Sequence, residues 1–396
     1  MRVLADQHYE LRWWRDPASP NFRRFFDITD LAAVRVEVPG VFEAQTRLLR
    51  QWVDDDVAAE VFDGVRVDHV DGLADPRAYL ADLRAVVGDD RLLLVEKILH
   101  EDEALPSDWP VDGTTGYELA DLTTGAVVYG RSVDALDHTL EEWTGSPPDW
   151  PGTVVAAKEL VLDRLLSAEV DRLTRVFERA LTAADAGGAG ELDDRRRAVR
   201  ELLASFDVYR TYVTDGAADG ADRVPHRRRC VTSDGRYGSS ALRDVLVVML
   251  ADPANPEERH VARRFEQTLP AVTAKAVEDT ALYRYTRLVA RNDVGVEPAR
   301  LSWGPDELHA HLVARGRWPL GLSAGSTHDA KRSEDVRARI AAAVARAPGT
   351  GGAWSPAGPP RWPVVPHRRH RRSNTWPGRP WSARGRSTPT ASRRIW

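Results

Sequence analysis

Three acidic residues stand where chemistry could be done. Asp68 follows Gly64-Val65-Arg66-Val67, Glu96 ends the apolar run Leu92-Leu93-Leu94-Val95, and Asp329 closes Ser326-Thr327-His328-Asp329. Strand side chains alternate, so Arg66 and Asp68 share one side; an arginine there keeps a carboxylate ionised and oriented, as a nucleophile requires. The same segment also fits an ordinary structural Arg–Asp pair. A carboxyl in apolar surroundings favours its neutral form, so Glu96 could serve as a general acid near neutral pH. Its alternative is a strand that simply ends at the charged pair Glu96-Lys97. The third cluster, followed by Lys331, Arg332, Glu334 and Asp335, could by itself be the capped start of a helix. Together the acids point to one reaction type. Glycoside chemistry with retention uses two carboxyl groups about 5–5.5 Å apart, one attacking the anomeric carbon and one protonating the leaving oxygen. A third acid gripping sugar hydroxyls would help the transition state.

The acids need elements to hold them. Residues 65–68 read as a short apolar strand and 92–95 as a buried parallel strand, since a continuous apolar run is what two covered faces require. Asp68 and Glu96 are 28 positions apart, close to the ~30 residues of one strand-plus-helix unit of a (β/α)₈ barrel. A doubly wound sheet would give the same local signal. Between them, residues 79–87 are helical by period, as are 41–53, where Val41, Phe42, Leu48, Leu49 and Trp52 recur at helical intervals. Further along, Leu162, Leu165, Leu166, Val170, Leu173, Val176, Phe177 and Leu181 form an amphipathic pattern over one helix. Residues 185–194 read as a Gly- and Asp-rich loop, and helical character returns at 195–205 and 257–288.

The fold class expected is α/β, a partial (β/α)₈ TIM barrel with a largely helical insertion. Residues 1–134 would be catalytic barrel, 135–300 the insertion, 301–345 the return to the barrel, and 346–396 a disordered basic tail. That tail contains no Asp or Glu and includes His367-Arg368-Arg369-His370-Arg371-Arg372. Clustered arginines could neutralise phosphates, but the Arg-, Pro- and Trp-rich composition reads best as a shifted reading frame in a GC-rich gene. The formal net charge of -5 over 396 residues gives no general reason to expect nucleic acid or a membrane as partner. A single cysteine, Cys230, excludes an internal disulfide framework and fits a cytoplasmic protein. No secretory signal or bilayer-length apolar run is apparent. Nothing calls for a cofactor or a metal. Thirteen tryptophans offer faces for stacking on sugar rings, although core packing accounts for a given Trp more often.

The three acidic segments resemble the fourth, fifth and seventh strand signatures of the α-amylase superfamily. Longer strings are similar to the maltooligosyl trehalose synthases within it. They are Asn21-Phe22-Arg23-Arg24-Phe25-Phe26-Asp27-Ile28, Leu105-Pro106-Ser107-Asp108-Trp109-Pro110 and Gly113-Thr114-Thr115-Gly116-Tyr117-Glu118. Val208-Tyr209-Arg210-Thr211-Tyr212, Glu278-Asp279-Thr280-Ala281-Leu282-Tyr283-Arg284-Tyr285 and Lys331-Arg332-Ser333-Glu334-Asp335-Val336-Arg337-Ala338-Arg339 complete the set. They run in the family's order from about Tyr9 to Ile340.

The resemblance implies an intramolecular transglucosylation that turns the reducing-end α-1,4 linkage of a maltooligosaccharide into α,α-1,1. Asp68 would be the nucleophile, Glu96 the acid and then base, and Asp329 the stabiliser. Arg66 and His328 would assist, and Arg24, Phe26, His69, Lys97, Tyr117, Lys331 and Arg332 would contact sugar or pack the barrel. It also implies a pathway partner, a maltooligosyl trehalose trehalohydrolase. An α-amylase-type hydrolase and a non-catalytic remnant are the rival readings. Departures exist. Asp207 stands where the family has Pro and Ala330 where it has Thr, and about three barrel units that precede Tyr9 in the family have no counterpart here. A barrel cannot close without them, so the chain by itself is expected to be inactive or aggregation-prone.

Overall fold

The computed structural model describes residues 6–13, 20–55, 61–100, 103–128, 133–184, 190–212 and 240–346, together with residues 3, 130, 237 and 238. The described residues all fall within one compact unit, Met1–Gly351. Cys230 and the basic run 367–372 lie outside the described residues.

A hairpin comes first, β1 (Arg24–Phe25) against β2 (Ile28–Ala32). Helix α1 (Pro39–Asp54) starts at a proline, whose fixed φ suits a first turn. β3 (Gly64–Val67) then runs parallel to β4 (Leu92–Val95), with Arg66 opposite Leu94 and Val67 opposite Val95. Gly64 is required by closeness, since a Cβ there would lie 2.3 Å from the Leu92 carbonyl oxygen. Helix α2 (Pro76–Val87) connects the two strands, its start capped by Asp75 accepting from the Ala78 N–H at 3.0 Å. β4 pairs in parallel with β5 (Gly113–Thr114), and a backbone bond of 3.0 Å from Leu322 to Thr114 lays residues 320–322 along the far side of β5. Among the described residues β3 has a strand partner on one side alone.

The remainder is helical: α3 (Tyr117–Ala126), α4 (Val133–Thr144), α5 (Trp150–Arg164), α6 (Ser167–Ala183), α7 (Leu192–Ser205), α8 (Ala241–Ala251), α9 (Pro256–Thr273), α10 (Pro305–Arg315) and α11 (Glu334–Arg346). The single helix expected over 162–181 is two. The N–H groups of Leu165 and Leu166 both reach the Val161 carbonyl at 2.9 Å, the chain turns, and the apolar stripe is shared between α5 and α6. α9 runs on into a π-helical stretch, Ala274–Ala281, before a last turn, Leu282–Arg284. The result is a mixed α/β structure, mostly helical, and no closed barrel is present among the described residues.

Two apolar cores matter for the site. One lies among α5 to α9, where Val161, Leu162, Leu166, Phe177, Leu202 and Phe265 are each 0–1% exposed. The other underlies the sheet, with Val67, Val70, Leu80, Leu93, Val95 and Trp109. No described helix is long and apolar enough to cross a membrane.

Candidate active site

Asp68 and Glu96 each follow the last residue of a strand, and the ladder extends to them: the Glu96 N–H donates to the Val67 carbonyl at 2.8 Å. One oxygen of each carboxyl and a ring nitrogen of His328 lie within 4.8 Å of one another. Arg66 donates to Asp68 Oδ1 at 2.7 Å and stands 3.6 Å from Glu96 Oε2. The His69 backbone N–H donates to Glu96 Oε2 at 2.9 Å. The Tyr117 hydroxyl lies 3.2 Å from Glu96 Oε1 and 3.3 Å from Asp329 Oδ2, so it joins the third acid to the pair. His328 Nε2 is 3.2 Å from Asp329 and 3.5 Å from Glu96.

The two carboxyls differ in setting. Glu96 has 11% of its side chain exposed and Asp68 has 54%. Burial would raise the Asp68 pKa, but the hydrogen bond from Glu96 and the charge of Arg66 outweigh it and hold the group below the usual range. Burial, then the hydrogen bond to Asp68, push Glu96 up, and the His69 N–H opposes them only in part. The opposite shifts make Glu96 the member of the pair that holds a proton more tightly. Burial lowers His69, whose imidazole is neutral at neutral pH. Burial also raises Tyr117, so its hydroxyl keeps its proton.

The loop bearing His328 and Asp329 is pinned from beneath. Asp293, 2% exposed, accepts from the N–H groups of Lys331 at 2.8 Å and Arg332 at 3.3 Å. Arg337 stands 3.6 Å from Asp293, donates to Thr124 Oγ1 at 2.8 Å, and reaches the Gly325 carbonyl.

The other residues singled out in the sequence separate into two groups. Phe26 borders the cluster, its ring centroid 4.7 Å from that of His69. Arg24, Lys97 and Arg332 turn elsewhere. The Arg24 guanidinium is buried against Glu169 at 2.7 Å, bracing the β1–β2 hairpin on α6. Lys97 is 1% exposed and lies 3.4 Å from Asp71 and 3.5 Å from Glu103. Those two carboxylates outweigh the burial that would lower its pKa, so the ammonium stays charged. Arg332 donates to the Asn292 carbonyl at 3.2 Å. Lys331 reaches Asp279 at 3.0 Å. Motif position marked these residues; their buried or lateral partners explain why they do not face the acids.

Sequence reasoning missed Asp293 as the anchor of the third acid, and Glu278. Glu278 sits on the π-helical stretch, accepts from the Tyr209 hydroxyl, and is pushed up to about 7, chiefly by burial. A polar residue interrupting an apolar helical face was the available signal for it. A cavity of about 470 Å³, lined by Trp150, Phe206, Tyr209, Glu278, Trp303 and Trp318 among others, is lined by none of the three acids. Asp68 and Asp329 instead lie about half exposed at the surface. Asp68, Glu96 and His328 could between them offer three donors to a cation, although Arg66 already supplies positive charge to both carboxyls.

Parallel strands delivering acids to their carboxyl ends, joined by a third acid from a distant loop, define an α/β protein with a carboxylate cluster. Comparison with known proteins shows what the chain is similar to. Two curated relatives from Mycobacterium tuberculosis strains CDC 1551 and H37Rv, provisionally named maltooligosyl trehalose synthase, are 38% identical over 335 residues, 84% of this chain. The solved maltooligosyltrehalose synthase of Arthrobacter ramosus aligns with TM-score 0.74 and 35% identity, over 86% of this chain and 42% of its own. A hypothetical maltooligosyl trehalose synthase from Sulfolobus tokodaii gives 0.69 and 31%, over 87% and 41%. The chain matches no protein-family model. It is similar to these proteins over most of its own length, and it spans 41% of the curated relatives' length.

Proposed function

We propose that the protein is a maltooligosyl trehalose synthase, an isomerase acting by retaining double displacement on maltooligosaccharides. The observation that carries this reading is the unequal carboxyl pair, close enough to share a proton, with Arg66 beside the exposed member. That separation suits retention; inversion needs about 6.5–9.5 Å for an intervening water. Glu96 gives its proton to the oxygen of the reducing-end α-1,4 linkage while the Asp68 carboxylate bonds to the anomeric carbon, releasing glucose and forming a glycosyl ester. Glu96, now a carboxylate, takes the proton of the anomeric hydroxyl of that glucose as its oxygen displaces Asp68. An α,α-1,1 linkage results and nothing is lost. Asp329 and His328 grip sugar hydroxyls, Tyr117 holds Glu96 and Asp329 apart and oriented, and Phe26 with His69 packs beside the sugar. In this reading residues 1–134 and 301–345 are parts of a (β/α)₈ barrel and 135–300 an insertion in it. A maltooligosyl trehalose trehalohydrolase would consume the product.

The half exposure of Asp68 and Asp329 favours one rival, an α-amylase-type hydrolase, because water reaching the ester diverts it to hydrolysis. The test begins with trapping. 5-Fluoro-α-D-glucosyl fluoride, activated for the first step and slow in the second, should add one fluoroglucosyl group to Asp68, located by peptide mass spectrometry. Its absence, or attachment to another carboxyl, defeats the retaining reading. With maltohexaose, falling reducing ends mark isomerisation, and rising ones mark the hydrolase.

A further inference from the structure

The string Val208-Tyr209-Arg210-Thr211-Tyr212 takes no part in that chemistry, yet all four of its polar side chains end at partners in the interior. Tyr209 donates to Glu278, Thr211 to Glu266, and Tyr212 to Asp71. Arg210, 2% exposed, donates from Nε to Glu266 at 3.1 Å. Its other two nitrogens reach three backbone carbonyls within four residues: Asp71 at 2.8 Å, Leu73, and Ala74 at 2.9 Å. The carbonyl skipped, that of Gly72, receives Arg23 Nη1 at 2.8 Å and Gln267 Nε2 at 3.2 Å.

These carbonyls belong to the turn that leaves the Asp68 strand. The turn, Val70–Gly72, starts from His69, whose φ of 48° is uncommon without a glycine and persists only where surroundings over-determine it. The N–H that this conformation presents is the one that bonds Glu96. Asp71, held by Tyr212, is also the partner of Lys97, the residue after Glu96. One strand end and the next are thus fastened to the same five-residue string.

We infer that Arg210 is a positioning residue for the carboxyl pair, clamping residues 69–74 in the conformation that aims Asp68 and offers the His69 N–H to Glu96. The inference rests on the reading of Asp68 and Glu96 as nucleophile and acid. A lysine cannot replace the fan, because its point charge reaches one carbonyl where the planar fork reaches three.

The test uses the full chain as wild type, Arg210→Met and Arg210→Lys, with Tyr212→Phe as a milder cut should Arg210→Met fail to fold. Amide exchange resolved to single peptides should accelerate on the order of tenfold in residues 69–74, while α6 and α7 keep wild-type protection. Fluoroglucosyl labelling of Asp68 should slow on the order of 100-fold in Arg210→Met, the scale of a misplaced reacting group. Arg210→Lys should recover part of it, and Tyr212→Phe should slow it several-fold. Unchanged exchange in residues 69–74, uniform acceleration everywhere, or wild-type labelling rates in the folded Arg210 variants would overturn the inference. A wild type that takes no label defeats the catalytic reading instead, and the exchange data still decide whether the clamp exists.

Discussion

The helices from Trp150 to Arg284 and the sheet around β3 and β4 belong to one compact unit but meet the demands of burial differently. The helices enclose a core whose central residues are essentially unexposed, cross-braced by ion pairs such as Arg195–Glu178 and Arg196–Asp171. The sheet has strands of four, four and two residues, with no strand beyond β3 among the described residues, and nearby Leu48, Trp52 and Val61 are 46–80% exposed. The three acids lie on the less covered region. The side chains that fix the turn after Asp68 come from the more covered one. Chemistry and rigidity are therefore supplied by different parts of the chain, and damage to either should leave a distinct trace.

The sharpest way to separate them is Asp68→Asn. Removing the nucleophile should cut fluoroglucosyl labelling by at least on the order of 10⁴-fold, while a half-exposed site leaves unfolding free energy within about 0.5 kcal/mol. A large loss of stability would show that the carboxylate is structural. Phe265→Ala should do the opposite. Phe265 is fully buried and its ring packs on Phe206 at 5.3 Å, so its removal should cost about 3–5 kcal/mol in urea unfolding. Trp52→Ala, on the exposed face of α1, is the paired control and should cost much less. Equal losses would abolish the distinction between the two regions.

The smallest effect concerns pH. Glu278 has its pKa raised from 4.5 to about 7 in the folded chain, so between those values the native state holds a proton that the unfolded state has released. Stability from this group is complete below pH 4.5 and declines as pH rises through about 7, by roughly 3 kcal/mol in all. Glu278→Gln should flatten that part of the unfolding profile. A wild-type profile already flat between pH 5 and 7 would contradict it.

Much of the site could be read from residue order, because strand-end acids follow recognisable apolar runs. Asp68 and Glu96 were marked that way, Arg66 by alternation, and Asp329 through the resemblance of its polar cluster to a family signature. What could not be read was orientation. Arg24 sits in a family string, but only the fold reveals Glu169 beneath it. Asp293 lies between Asn292 and Val294 with nothing local to announce that two backbone N–H groups almost forty residues later converge on it. The fold was legible in type more than in extent. Periodicity located α1, α2 and α7 closely, but it merged α5 with α6, since a stripe of leucines continues through a turn that hydrogen bonding alone defines.

The π-helical stretch has a consequence for insertions and deletions. A widened turn holds extra residues per revolution, so phase along Ala274–Ala281 is set by how many residues are present as much as by which. Deleting Ala276 while neighbouring hydrogen bonds hold the wide turn open would rotate the downstream side chains by about 100°. Glu278 would swing off Tyr209, and Leu282 and Tyr285 would leave the positions they fill. At this place spacing itself is the inherited property, and a change in reading length of one codon would do more harm than most exchanges of side chain.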